Sequence, residues 1–295
     1  MDKKIIFFLP LFIFLNLSAS YSFTLKTLHE KADSLSLADA KISADQSGSA
    51  DDRYILGLVY LNLHKDKAAY EIFNSLLTGD PGSIRAKWGL AEALRRQHLV
   101  PGAESLLNEI IKQDADFSPA LISLAYIKYF KMDFTGSARL ASQVIGKGKD
   151  NTDLSNYVRA LAIYAGAKGM LAHYGGILSK AVDGLAVKRN LDKAQGLQPD
   201  SPSVLFGLGS YYLLAPTIAG GNKSKAEEYL SRAITIDPNF ADVYVRLAQL
   251  AKIKGQKERY SFYMNKALEL DPKNELAEDT LSGRCRFICT GGKEE

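Results

Sequence analysis

The chain has 295 residues, 46% of them hydrophobic and 24% charged, which suits one large or two small folded units. A formal net charge of +4 is too even to argue for nucleic acid or an anionic membrane surface as a partner.

Lys3 and Lys4 form a short positive start, and Ile5 to Leu15 is an almost unbroken apolar run of 11 residues, followed by the small residues Ser18, Ala19 and Ser20. Residues 1–20 read as a secretory signal peptide, because this apolar core is too short to cross ~30 Å of hydrocarbon. An uncleaved N-terminal anchor is the alternative on the same pattern. Cleavage after Ser20 removes Asp2, Lys3 and Lys4, so 37 basic and 33 acidic residues become 35 and 32, or +3. No cysteine lies near the cleavage region to signal lipid attachment. The expected location is therefore the bacterial periplasm, with no transmembrane domain after cleavage. Residues 21–49 are expected to form an N-terminal cap, with one or two amphipathic helices between Thr24 and Gln46.

Beyond Ser49 the chain repeats itself. Ala194–Pro199 (AQGLQP) recurs as Ala233–Pro238 (AITIDP) and as Ala267–Pro272 (ALELDP). The last two prolines are 34 residues apart and the first two 39, or 34 with five added. Each unit reads as two amphipathic helices with apolar residues at i, i+3, i+4 and i+7. Gly57, Gly209, Ala91, Ala125 and Ala248 are small where one helix must approach its neighbour. Pro81, Pro238 and Pro272 end second helices, because the ring clashes with the preceding turn and donates no N–H. No stretch alternates like a strand, so the expected class is all-α.

These repeats resemble the tetratricopeptide-repeat (TPR) family, whose unit is about 34 residues. Ala50 to Ser83 carries Leu56, Gly57, Tyr60, Ala69, Phe73 and Pro81 at family positions. Shorter matches start at Ile84, Ser118, Pro202 and Ala241. The resemblance implies a superhelical solenoid of antiparallel helix pairs over residues 50–281, about six pairs, with a tail at 282–295.

Two places depart from the pattern. Between Lys147 and Ser201 the unit is enlarged, and Asp153 to about His173 reads as one overlong helix rich in Ala and Gly. Arg159, Lys168 and His173 interrupt it, which argues against a membrane span and for close helix packing. The second departure is a five-residue insertion within Leu214–Asn222, where Pro216 should stop one helix and Asn222 should cap the next.

No catalytic constellation is visible, and no cofactor is expected. The stretch Gly220–Ser224 lacks the glycine and the preceding strand of a phosphate-binding loop. His29, His64, His98 and His173 lie far apart without metal spacing. Cys285 and Cys289 read as a local disulfide in an oxidising compartment, or else as half a metal site without a histidine nearby.

In TPR proteins the first helix of each pair lines a concave groove. Carried onto this chain, the resemblance places Tyr54, Trp88, Arg95, Arg96, Tyr126, Tyr129, Phe130 and Phe206 there. Two readings stand: these side chains are covered as core, or they are exposed to hold an apolar ligand or peptide, with Arg95 and Arg96 for a carboxylate. The implied function is an exported, non-catalytic scaffold that holds a protein or peptide partner of the cell envelope. The enlarged central unit, with Pro216, Gly220, Gly221 and Ala226 before a Lys/Ala-rich helix, is also similar to the TPR component associated with TRAP transporters. That resemblance implies an apolar channel, a small apolar or carboxylate solute and a periplasmic binding-protein partner.

Overall fold

The computed structural model describes residues 24–289. The expected signal segment 1–20 and the last residues of the expected tail, 290–295, lie outside this range.

Local chemistry sets the helix ends. Side-chain oxygens of Ser36, Ser49, Ser83, Asp133, Asp153 and Asn274 each accept a bond from a backbone N–H in the first turn of the helix they precede. After the second helices, Asp80, Asp114, Asp237 and Asp271 accept from the N–H two residues on, forming a turn that recurs at the repeat spacing. The helices are α1 (Leu25–Ser34), α2 (Leu37–Ser47), α3 (Ala50–Asn62), α4 (Asp66–Gly79), α5 (Ile84–Arg96), α6 (Val100–Gln113), α7 (Ser118–Phe130) and α8 (Phe134–Gly146). They continue as α9 (Leu154–Tyr174), α10 (Ile177–Leu197), α11 (Pro202–Leu214), α12 (Lys223–Ile236), α13 (Ala241–Ile253), α14 (Lys257–Leu270) and α15 (Glu275–Leu281). No strand occurs among the described residues.

From α3 to α14 the helices form six antiparallel pairs stacked side by side, preceded by α1 and α2 and closed by α15. The stacking depends on close approach. The Phe73 ring of α4 is fully buried against the bare backbones of Gly57 on α3 and Gly89 on α5. A Cβ at those glycines would come within 2.6 and 2.3 Å of the ring, so one aromatic side chain joins three helices across two repeats.

The stack turns far enough to meet itself. His64 and His98 occupy equivalent first-to-second-helix turns, both in the left-handed region (φ 55° and 61°). His64 Nε2 lies 2.8 Å from Asp237 Oδ2, and His98 Nε2 lies 2.8 Å from Asp271 Oδ1, each pair separated by 173 residues. Histidines one repeat apart thus meet aspartates one repeat apart. His98 Nδ1 also faces Glu275 at 3.1 Å. Hydrogen bonds from Asp271 and Glu275 raise the imidazole to about 10, against burial.

α9 and α10 are each 21 residues long, against 13 or 14 in the helices of the other pairs. Tyr174 to Gly176 makes the turn between them. Beyond α11 the chain passes Pro216 and a short 3₁₀ turn, Thr217–Ala219, before Asn222 caps α12. Gly221 is required there, since a Cβ would sit 1.9 Å from the Ala215 carbonyl oxygen. The segment expected as a tail is, up to Cys289, part of the packed body. Cys285 and Cys289 are joined by a disulfide, and Phe287 between them is 2% exposed.

Candidate functional site

The first-helix face of the early repeats is filled. Tyr54 and Trp88, expected in an accessible groove, are each only 2% exposed, because α1 and α9 lie over them. Trp88 Nε1 donates to Ser123 Oγ, which donates to Glu92. The His29 ring packs, tilted, 5.4 Å from that of Trp88, and it links Asn156 Nδ2 at Nδ1 to the Tyr54 hydroxyl at Nε2, both at 3.1 Å. Burial lowers the His29 imidazole and outweighs Asp153, so the ring is neutral, accepting from Asn156 and donating to Tyr54.

Arg95 and Arg96 are also committed inside. Both pair with the fully buried Glu92, Arg95 through two bonds at 2.9 and 2.8 Å, and Arg159 joins at 3.4 Å. Burial alone would raise the Glu92 carboxyl, but Arg95, Arg159 and Arg96 hold it well below the usual range. Arg95 lies 4.1 Å over the Tyr126 ring. Neither arginine is therefore free to receive a carboxylate in the groove.

The later half of the same face is open. A cavity of about 940 Å³ lies among α7, α9, α10, α11, α13 and the C-terminal segment. Tyr126, Tyr129, Phe130 and Phe206 line it, with Met170, Leu191 and Leu214. Small residues make the space: Ala162, Gly166 and Gly169 on α9, Gly184 on α10 and Gly207 on α11 all face it. The insertion contributes Ala215, Pro216 and Ala219. Phe287 shuts one side, stacked 5.7 Å from Tyr129 and packed 5.1 Å from Phe130. On the other side Leu185 of α10 both lines the cavity and reaches solvent, and Ile177, 90% exposed, and Leu178 continue that edge.

Its polar groups converge from three helices. Arg246 on α13 is 4% exposed, donating from Nη1 to Gln249 Oε1 (2.8 Å) and the Ile288 carbonyl (3.0 Å), and from Nη2 to the Phe287 carbonyl (3.2 Å). Its Nε, buried, has no partner, and neither has the buried Ser210 Oγ on α11. Asp242, one turn before Arg246, accepts from Asn274 Nδ2 at 2.6 Å, and burial pushes its carboxyl up to about 6. Burial likewise pushes the Tyr129 hydroxyl up to about 12. Sequence reasoning missed Arg246 and Asp242. The available signal was a lone arginine in the otherwise apolar run Val243–Leu247.

With this geometry in hand, comparison with known families is decisive. The tetratricopeptide-repeat family is matched at residues 67–125, 218–240 and 241–274. The chain carries tetratricopeptide repeats. As a TPR protein it is a helical scaffold of the kind used for protein interaction. Its fold is similar to that of a TPR protein from Parabacteroides merdae, at TM-score 0.52 and 14% identity over 87% of this chain and 96% of that one. It is also similar to a chain of the APC/C hetero-tetramer Cut9–Hcn1, at TM-score 0.55 and 15% identity over 87% of this chain. An IFIT1 monomeric mutant with Gppp-AAAA gives TM-score 0.55 and 14% identity over 85% of this chain. This TPR chain spans 47% of the Cut9–Hcn1 chain and 59% of the IFIT1 chain. Sequence comparison with curated proteins gives no match. Among the described residues of the TPR body, no group of three or more His, Cys, Asp or Glu is placed to hold a metal ion, and no helix is long and apolar enough to cross a membrane.

Proposed function

We propose that this TPR protein is non-catalytic and exported, and that it takes a small apolar ligand into the central cavity. The observation that carries the reading is the coincidence of the two departures from the repeat. The enlarged α9–α10 pair and the Pro216–Gly221 insertion line one apolar cavity of about 940 Å³, within the range of small-molecule sites. The resemblance to the TRAP-associated component supports the same reading and implies a periplasmic solute-binding partner. The exposed Ile177, Leu178 and Leu185 beside the opening offer that partner an apolar contact. The leading groove reading, a peptide held by Tyr54 and Trp88, has no accessible surface at those residues.

Native mass spectrometry of gently purified protein tests the proposal. The expected result is a bound small-molecule adduct that mild denaturation releases. Protein free of adduct that also fails to bind an uncharged apolar fluorescent probe such as Nile red would rule the ligand reading out. Crosslinking in the intact periplasm tests the partner, with a solute-binding protein expected and capture lost on replacing Ile177 and Leu178 by Ser.

A further inference from the structure

The disulfide between Cys285 and Cys289, at a sequence separation of 4, closes a small ring whose middle residue, Phe287, is a wall of the central cavity. Phe287 is buried against Tyr129 and Phe130, and Ile288 also lines the cavity. Arg284 is exposed, and Arg286 and both cysteines are half-buried. The wall here is therefore one loop thick, with the cavity behind Phe287 and solvent in front of the disulfide. The opening along α10 lies on the other side.

Polar contacts from three helices hold the loop down. Asp279 Oδ2 accepts from the Phe287 N–H at 2.9 Å, and Oδ1 accepts from Arg286 Nε at 3.1 Å. Arg246 donates to the carbonyls of Ile288 (3.0 Å) and Phe287 (3.2 Å), and the Tyr174 hydroxyl donates to the Arg286 carbonyl at 2.8 Å. Backbone strain opposes them. Cys285 and Ile288 are both in the left-handed region (φ 53° and 59°), a costly conformation for a side chain and most of all for a β-branched one. The disulfide tips this balance. Linking residues so close in the chain removes freedom that a released segment would regain, which multiplies the docked-to-released ratio by about thirty.

We infer that the 285–289 loop is a redox-controlled plug, which seats Phe287 and shuts a second entrance to the cavity when oxidised and releases it when reduced. This rests on the ligand reading above and adds regulation of the same cavity. The reductant is a dithiol. One of its thiolates attacks a cystine sulfur and forms a mixed disulfide, while the Cys285–Cys289 bond breaks and the leaving thiolate takes up a proton. The second thiolate of the reductant then displaces the remaining cysteine. Two electrons and two protons pass in all from the dithiol, which leaves as its own disulfide, to the two cysteines.

Hydrogen exchange and release of Nile red, measured on the full chain with and without dithiothreitol, test the plug. On reduction the Phe287 amide should exchange about thirtyfold faster while the amides of α13 keep their rates. Bound Nile red should leave faster on dilution, by up to about thirtyfold, as the released population rises. The double variant Cys285→Ser, Cys289→Ser should match the reduced protein with no reductant present, and Phe287→Ala should release the probe quickly in either state. Faster exchange with an unchanged release rate would overturn the plug, because the loop would then be a structural clip. Loss of the helical circular dichroism signal on reduction would also overturn it, because the disulfide would then be holding the body together. Failure of both forms to bind Nile red would instead overturn the ligand reading, with the Phe287 exchange rate still deciding whether reduction frees the loop.

Discussion

The two halves of the inner face share repeat positions and differ in what reaches them. In the early half, α1 and the start of α9 lie across α3 and α5, so Tyr54, Trp88 and Glu92 are sealed and every buried cation there has an anionic partner. In the later half, α9 presents Ala162, Gly166 and Gly169 instead of large side chains, and Arg246 meets only neutral oxygens. Repeat position alone therefore does not say whether a residue is core or site. Covering helices and local side-chain volume decide it.

Changes in the sealed half should cost stability, and changes in the open half should alter binding. The largest effect is expected for Glu92→Gln, which leaves Arg95 and Arg159 without a carboxylate partner and Arg96 with only Asp66 at 3.7 Å, and should cost about 3–5 kcal/mol in chemical denaturation. The folded Glu92 carboxyl is depressed, so its contribution is present above the unfolded carboxylate range and is lost as pH falls. The variant should therefore be less sensitive to acid than the native protein. A cost below about 1 kcal/mol, the scale of a surface pair, would mean that the early half is not closed electrostatically.

Asp242→Asn should act in the opposite direction. The folded carboxyl is raised to about 6, so the native state holds this proton more tightly than the unfolded chain does. Native stability then falls as pH rises from about 4 to about 6, and above that the ionised group remains a cost. The Asn variant should be more stable by about 3 kcal/mol at neutral pH and flat across that window, read from melting temperature against pH. An unchanged pH profile would show that Asp242 carries no buried charge.

His98→Gln should cost about 1–2 kcal/mol by removing the contact between distant turns of the stack. Because the imidazole is raised to about 10, its contribution is complete below the unfolded value near 6.5 and disappears as pH rises through 10. Hydrogen exchange in α15 should quicken in the variant at neutral pH and match the native rate above pH 10. The smallest effect on stability, within about 1 kcal/mol, is expected for Gly166→Leu. Its Cβ would lie 3.6 Å from the Tyr129 ring with the rest of the side chain in the cavity, so binding of the apolar probe should be lost while folding is kept.

Much of the organisation was legible. The Pro238–Pro272 spacing of 34, the small residues at Gly57 and Gly209, and the Ala/Gly-rich stretch after Asp153 indicated paired helices with an enlarged central pair. The candidate site was legible only in part. Tyr126, Tyr129, Phe130 and Phe206 line the cavity, while Tyr54, Trp88, Arg95 and Arg96 belong to a sealed interior. Nothing near Tyr54 or Trp88 in the chain announces their covers, because His29 and Asn156 approach from 25 and 127 residues away from their respective partners, Tyr54 and His29.

Sequence alone determined the repeat, its helix ends and the sites of its two irregularities, since caps, prolines and small-residue positions act over a few neighbouring residues. The tertiary structure alone decided where the stack meets itself, which half of the inner face is sealed and which buried arginine donates to backbone carbonyls. Those outcomes depend on the accumulated rotation of successive helix pairs, which brings His98 to Asp271 across 173 residues.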